Sequence, residues 1–148
     1  MTSFNVSGIQ GKGRPRFAHR GNHVTTYTPD CTRAYEDAVR LAWNSAGGKM
    51  LDGPVAVRIT AYQALPKRAT RAQRAAAERG EISPIRKPDL DNIVKIVLDA
   101  LNGHAYRDDT QVVQLEARKC YTAEESHIAV IVGGLDEIAP ASVEWANG

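Results

Sequence analysis

Asp89, Asp91 and Asp99 are spread through the stretch KPDLDNIVKIVLDALNG (Lys87–Gly103), with Lys95 among them. A second acidic pair, Asp108 and Asp109, follows in the turn RDDT. Carboxylates gathered at one point bind a hard cation through oxygen, and a cation held that way deprotonates water and stabilises charge developing on a phosphodiester. A lysine beside them stabilises an anionic transition state. The same residues also have a plainer use. Aspartate at a helix N-cap or first turn satisfies free N–H groups and meets the helix dipole, worth about 0.3–2 kcal/mol. An Asp-Asp before a strand is an ordinary turn. Spacing alone leaves both uses open.

Helix geometry narrows which acids can meet. Residues two apart on a helix point about 200° away from each other. Asp89 and Asp91 therefore converge only if Asp89 precedes the helix in extended backbone, which the neighbouring Pro88 supports. Lys95 lies four residues after Asp91, on the same face. Asp99 is two turns further on, about 12 Å by helical rise, beyond the reach of the same ion. Asp108 and Asp109 approach the helix start only if the strand after them runs beside the helix. Three carboxylates meeting near the lysine would make an all-oxygen site for Mg²⁺ or Mn²⁺. A calcium-binding EF-hand loop is excluded, because Ile93 and Val94 occupy positions that need an oxygen ligand and a glycine. A glycosidase pair fits poorly, since the surrounding cations favour an anionic substrate. His19, His23, His104 and His127 lack zinc spacing and read as structural or surface residues.

The charge is divided along the chain. Residues 1–88 hold 15 Lys/Arg against 6 Asp/Glu, net +9, and residues 89–148 hold 4 against 11, net −7. A basic portion joined to an acidic one suits a polyanion held by one part and a carboxylate site in the other; two solvated surfaces would look the same. With 148 residues, 43% apolar and 24% charged, the chain reads as one soluble domain with a real core. No apolar run approaches a membrane span, and the N-terminus places its weak apolar part before its basic part, the reverse of a secretory signal. Cys31 and Cys120 fit reduced, inert thiols in a cytoplasmic protein.

The elements that must position these groups follow from polarity. Ser3–Ile9 and Val55–Tyr62 read as strands, the second alternating cleanly. Gly11–Asp30, rich in Gly, Pro and cations, reads as an ordered loop or hairpin. A helix is expected over 31–45 with Ala34, Ala38, Leu41 and Ala42 as its apolar face and Tyr35 and Trp43 flanking it. Trp43 and Trp145 read as packing residues. Pro66–Glu81 has helix propensity but only alanines to bury, so it reads as a basic projecting helix or arm. Leu90, Ile93, Val94, Val97, Leu98 and Leu101 form a full helical stripe that Asn102-Gly103 closes. Gln111–Tyr121 and His127–Val132 suggest an antiparallel hairpin, and Gly133–Gly148 an acidic, loose end. The expected fold is a small single-domain α+β protein: two core helices on a mixed, mostly antiparallel sheet, with a basic helical insertion over 63–86.

In order, KPDLDNIVKIVLDALNG, YRDDTQV (Tyr106–Val112), and upstream GKGRPRF (Gly11–Phe17), YTP and TRAYE resemble the RusA family of Holliday junction resolvases, especially its phage-type members. The likeness runs through most of residues 3–132, with a domain over 1–133 and an acidic tail over 134–148. Arg-Lys-Pro ahead of Asp89 and the long 63–86 segment depart from the compact members. The resemblance implies a metal-dependent endonuclease, phage- or prophage-encoded, acting as a homodimer on four-way DNA junctions in the cytoplasm of a bacterial cell. Asp89, Asp91 and Asp109 fall on the acids that hold Mg²⁺ (Mn²⁺ as substitute), and Lys95 on the motif lysine. Asn92, Asp99, Asp108 and Gln111 match motif positions of supporting role. Lys12, Arg14, Arg16, Arg20, Lys67, Arg68, Arg71, Arg74, Arg86 and Lys87 are expected to contact DNA phosphates. A broader flap or fork nuclease and a junction-binding module without catalysis are the alternatives.

Overall fold

The structure, a computed structural model, describes residues 1–13, 16–21, 23–27 and 29–138, with backbone alone for 16–20 and 23–27. Its elements in chain order are β1 (Thr2–Ser7), β2 (Arg16–Arg20), β3 (His23–Tyr27), α1 (Asp30–Ser45), β4 (Val55–Ala64), α2 (Arg71–Glu78), α3 (Leu90–Leu101), β5 (Val112–Thr122) and β6 (His127–Gly134). Arg14 and Trp145 lie outside the described residues, as do 139–148 as a whole.

β1, β6, β4 and β5 form one mixed sheet in that order, antiparallel except for the β4–β5 pair. A parallel pair needs a long crossover, and here it carries α2 and α3. One face of the sheet is buried: Val55, Val57, Ile59 and Ala61 of β4, Ile128, Val130 and Val132 of β6, Phe4 and Val6 of β1. Against it α3 packs Ile93, Ile96, Val97, Ala100 and Leu101, and α1 packs Val39 and Trp43. The Trp43 and Phe4 rings meet edge to face, centroids 6.2 Å apart. β2 and β3 pair from Arg16↔Tyr27 to Arg20↔His23 as a separate hairpin, one of the two forms expected within Gly11–Asp30.

Two expectations are overturned. β5 and β6 are not a hairpin, because β4 lies between them, parallel to one and antiparallel to the other. β4 carries the most regular apolar face and takes the centre. The short link after Thr122 then crosses the end of β4, where Leu65 N–H donates to the Thr122 carbonyl and Ala64 N–H to Ser126 Oγ. Two strand spacings are about 9.6 Å, well within the reach of four residues.

The second correction concerns α1. Its buried residues are Thr32, Glu36, Val39 and Trp43, spaced i, i+4, i+7 and i+11, while Leu41 is 67% exposed and Ala34 is also exposed. The apolar count followed the neighbouring stripe because the true one passes through a threonine and a glutamate.

α2 begins with a capping box between Thr70 and Gln73 and buries no residue. It lies beside Leu65, Tyr121, Thr122 and Ala123. The chain after β6 stays docked as far as Ile138, which is buried, and the N-terminal ammonium pairs with Glu137. Among the described residues no helix is long and apolar enough to cross a membrane.

Candidate functional site

Asp89 sits in extended backbone (φ −66°, ψ 146°) as the residue before α3, as convergence with Asp91 requires. Its carbonyl accepts from Ile93 N–H at 3.1 Å, yet its carboxylate makes no capping hydrogen bond. Asp91 follows in the first turn; both aspartates are exposed. The plain capping role therefore does not account for the Asp89 side chain. One turn on, the Lys95 side chain is 61% exposed and its ammonium stands 3.5 Å from Asp99 Oδ2, its i+4 neighbour towards the helix end.

The acids after α3 are held by a buried tyrosine and a glutamine. Tyr106 is fully buried, and its hydroxyl donates to the Leu98 carbonyl at 2.8 Å, which folds the 102–108 turn back onto α3. Burial first, then the charges of Asp109, Asp99 and Asp108, push that phenol far above its ordinary value, so it stays a donor. Gln111 accepts from Arg107 N–H at 2.9 Å and donates to the carbonyls of Leu51 and Gly53, both at 3.0 Å. Thr110 Oγ1 donates to Asp108 Oδ2 at 3.0 Å. Asp109 thus faces the Lys95–Asp99 side of α3. Partial burial, then the charges of Asp108 and Asp99, raise its carboxyl above the usual value, with Lys95 pulling the other way.

The third wall comes from the segment before β2. Lys12 N–H donates to the Asn92 carbonyl at 3.0 Å, and Gly13 N–H to Thr32 Oγ1 at 3.2 Å. Tyr35, whose phenol burial keeps protonated, donates to the Gly8 carbonyl at 2.8 Å. The glycines are required by close approach: a Cβ on Gly11 would lie 3.0 Å from Pro88 Cβ, and one on Gly13 2.6 Å from Thr32 Oγ1. Between them the Lys12 ammonium reaches inward, 3.1 Å from Glu36 Oε2 and 3.3 Å from Asp99 Oδ2.

A model of the family described as endodeoxyribonuclease RusA matches residues 8–133, which include every side chain named in this site. The chain belongs to the RusA family. It is also 36% identical over 124 residues to a Bacillus subtilis (strain 168) protein called "Uncharacterized protein YqaN", covering 82% of this chain and 87% of that one.

In this RusA chain Lys12 and Lys95 both pair with Asp99, with Glu36 on the far side of Lys12, and Asp109 lies within reach of the charges of Asp108, Asp99 and Lys95. Asp89 and Asp91 lie at the start of α3, one turn before Lys95. Among the described residues no three His, Cys, Asp or Glu side chains are grouped to hold a metal. A cage of protein ligands alone is therefore not built. Mg²⁺ differs from ions that need such a cage: one or two carboxylates suffice, with water and substrate phosphate completing the shell. The donors present suit that mode: Asp109, raised first by partial burial and then by the charges of Asp108 and Asp99, is a carboxylate that a nearby cation would favour in its charged form.

Lys67, Arg68, Arg71, Arg74, Arg86 and Lys87 are all exposed, so their positions suit contact with a polyanion. Arg86 donates to the Ala64 carbonyl at 2.9 Å, and Lys119 to the Arg86 carbonyl, which fixes the approach to Asp89. The side chains of Arg16 and Arg20 are outside the described set. Lys12 differs from the exposed cations, being turned inward between two helices. Glu36 and Thr32 were missed by the sequence reading. Their signal was available: polar residues at i and i+4 in line with Val39 and Trp43.

Proposed function

We propose that the chain is a Mg²⁺-dependent endodeoxyribonuclease that resolves four-way DNA junctions by paired symmetric nicks, in recombination and repair. What supports the reading is the carboxylate of Asp89, which makes no capping hydrogen bond, beside Asp91 at the start of α3, with Lys95 one turn on and its charge felt at Asp109, in a RusA chain. Asp89, Asp91 and Asp109 would hold the ion, with Mn²⁺ as a substitute, and it would supply Lewis acidity and an activated water.

The chain's own residues do the rest. Lys95, exposed and tethered only to Asp99 among the described residues, swings to a phosphate oxygen and offsets the charge of the transition state. Lys67, Arg68, Arg71, Arg74, Arg86 and Lys87, with Arg14, Arg16 and Arg20, hold backbone phosphates, so affinity falls steeply with salt. One chain carries one such edge, and two matched nicks call for a two-fold dimer. The setting we propose is the bacterial cytoplasm, with a phage or prophage origin.

The test is cleavage of labelled junction, flap and duplex DNA with Mg²⁺ and with EDTA. The expected result is symmetric cutting of the junction in Mg²⁺, with Asp91→Asn still binding but cutting about 10³-fold more slowly, as loss of several kcal/mol of transition-state stabilisation requires. Similar rates on flaps and junctions would make it a broader branched-DNA nuclease. If wild type and Asp91→Asn behave alike, the catalytic reading is wrong.

A further inference from the structure

We propose that Lys12 is a positioning residue of this site rather than a phosphate contact: it holds Asp99 partly neutralised, which leaves Lys95 available to DNA. The inference rests on the endonuclease reading above. A cation that serves a polyanion keeps its ammonium in solvent on a flexible stem. Lys12 does the opposite. Its side chain is 20% exposed, and its ammonium lies between Glu36 Oε2 at 3.1 Å and Asp99 Oδ2 at 3.3 Å, themselves only 12% and 23% exposed. A phosphate would have to displace both.

The backbone around Lys12 is equally committed. Its N–H is held by the Asn92 carbonyl at 3.0 Å, and the next N–H, of Gly13, by Thr32 Oγ1 at 3.2 Å. The flanking glycines allow the segment to lie against Pro88, Asn92 and Thr32. Nothing in this arrangement lets the side chain swing outward without breaking contacts to both helices.

Asp99 Oδ2 is the shared atom. It takes Lys12 at 3.3 Å and Lys95 at 3.5 Å. Remove Lys12 and that carboxylate has Lys95 as its one ammonium partner among the described residues, so Lys95 is drawn down the helix and away from a phosphate. Glu36, buried on α1, then loses its one ion-pair partner among the described residues, and the charge around Asp109 becomes more negative. Both effects fall on groups that the proposed reaction uses, though Lys12 itself touches no substrate. Lys12 also ties the segment leading into the β2–β3 hairpin to the first turn of α3, where Asp89 and Asp91 stand.

The experiment compares the full-length wild type, Lys12→Met, Lys12→Arg and Lys12→Met/Asp99→Asn. Single-turnover cutting of a labelled four-way junction at saturating enzyme is read beside junction Kd in EDTA at several salt concentrations. Lys12→Met is expected to slow cutting about 10–100-fold, the usual effect of losing a group that orients the reacting ones. Its Kd should stay within about threefold of wild type, under 1 kcal/mol of binding. Lys12→Arg should restore most of the rate, and adding Asp99→Asn to Lys12→Met should recover part of it, because the excess carboxylate is gone. Thermal unfolding checks each variant; should Lys12→Met fold poorly, Lys12→Gln carries the same comparison.

A weaker Kd with a salt slope reduced by about one and an unchanged saturated rate would make Lys12 a phosphate contact and overturn the inference. So would equal rates for Lys12→Met and wild type. A wild type that cuts none of the substrates is a different result: it removes the endonuclease reading itself.

Discussion

α1 and α3 cover the same face of the sheet, but they do so with different chemistry. α3 buries an unbroken apolar stripe, Ile93, Ile96, Val97, Ala100 and Leu101, and keeps its acids and Lys95 on the other edge. α1 buries Val39 and Trp43 with one half of its stripe and Thr32 and Glu36 with the other. The apolar half holds the sheet. The polar half receives Gly13 N–H and the Lys12 ammonium, which belong to the site. A polar residue on a buried face needs a partner, because leaving it unpaired costs about 1–3 kcal/mol. Where such residues persist, the partner shows what they serve.

The largest effect that separates the two halves of α1 is steric. Trp43→Ala should cost about 3–5 kcal/mol by opening a cavity against Phe4, whereas Leu41→Ala should stay within about 0.5 kcal/mol. Denaturant midpoints for both variants measure this, and a costly Leu41→Ala would return the helix to the face that its apolar residues suggested.

Next comes Thr32→Val, which keeps the shape and removes the acceptor of Gly13 N–H. It should cost about 1–2 kcal/mol and raise amide exchange at Gly13. No change in that exchange would mean that the polar half of the stripe does not hold the Lys12 segment.

The smallest effect tests the acid end of α3. Asp109 has its folded-state pKa raised, chiefly by burial and then by Asp108 and Asp99. Its contribution to stability is therefore fully present below the ordinary carboxylate range and is lost as pH rises through the raised value. Asp109→Asn should stabilise the chain at neutral pH, by less than about 1 kcal/mol because solvent screens much of the interaction. The gain should vanish in acid, where the wild-type carboxyl is protonated in both states. A gain that persists at low pH would point to lost packing strain rather than charge.

Much of this could be read from local patterns. The bounds of α3 follow from apolar spacing, and the extended backbone at Asp89 from the geometry that two acids need to converge. The buried face is turned from the expected stripe, with Ile96 and Ala100 buried and Leu90, Val94 and Leu98 only half-buried, because the helix packs against α1 as well as the sheet. The alternation of Val55–Tyr62 marked the central strand. The β5–β6 pairing was misread because adjacency in sequence favours a hairpin, and only competition for the centre of the sheet puts β4 between them. Helical rise sets Asp99 apart from Asp91 along α3. That its charge is felt at Asp109 depends on Tyr106 folding the turn back to Leu98, which no local pattern records.

The sequence by itself determined which residues have the chemistry to serve such a site: the acids around α3, Lys95, and the exposed cations before them. It did so because side-chain type and helical period are local properties. Tertiary structure alone decided which of them meet. Lys12 lies 24 residues from Glu36, and still further along the chain from Asp99. It reaches both because two glycines let its backbone pass between α1 and α3. Its charge could be counted from the sequence, but its partners were set by packing.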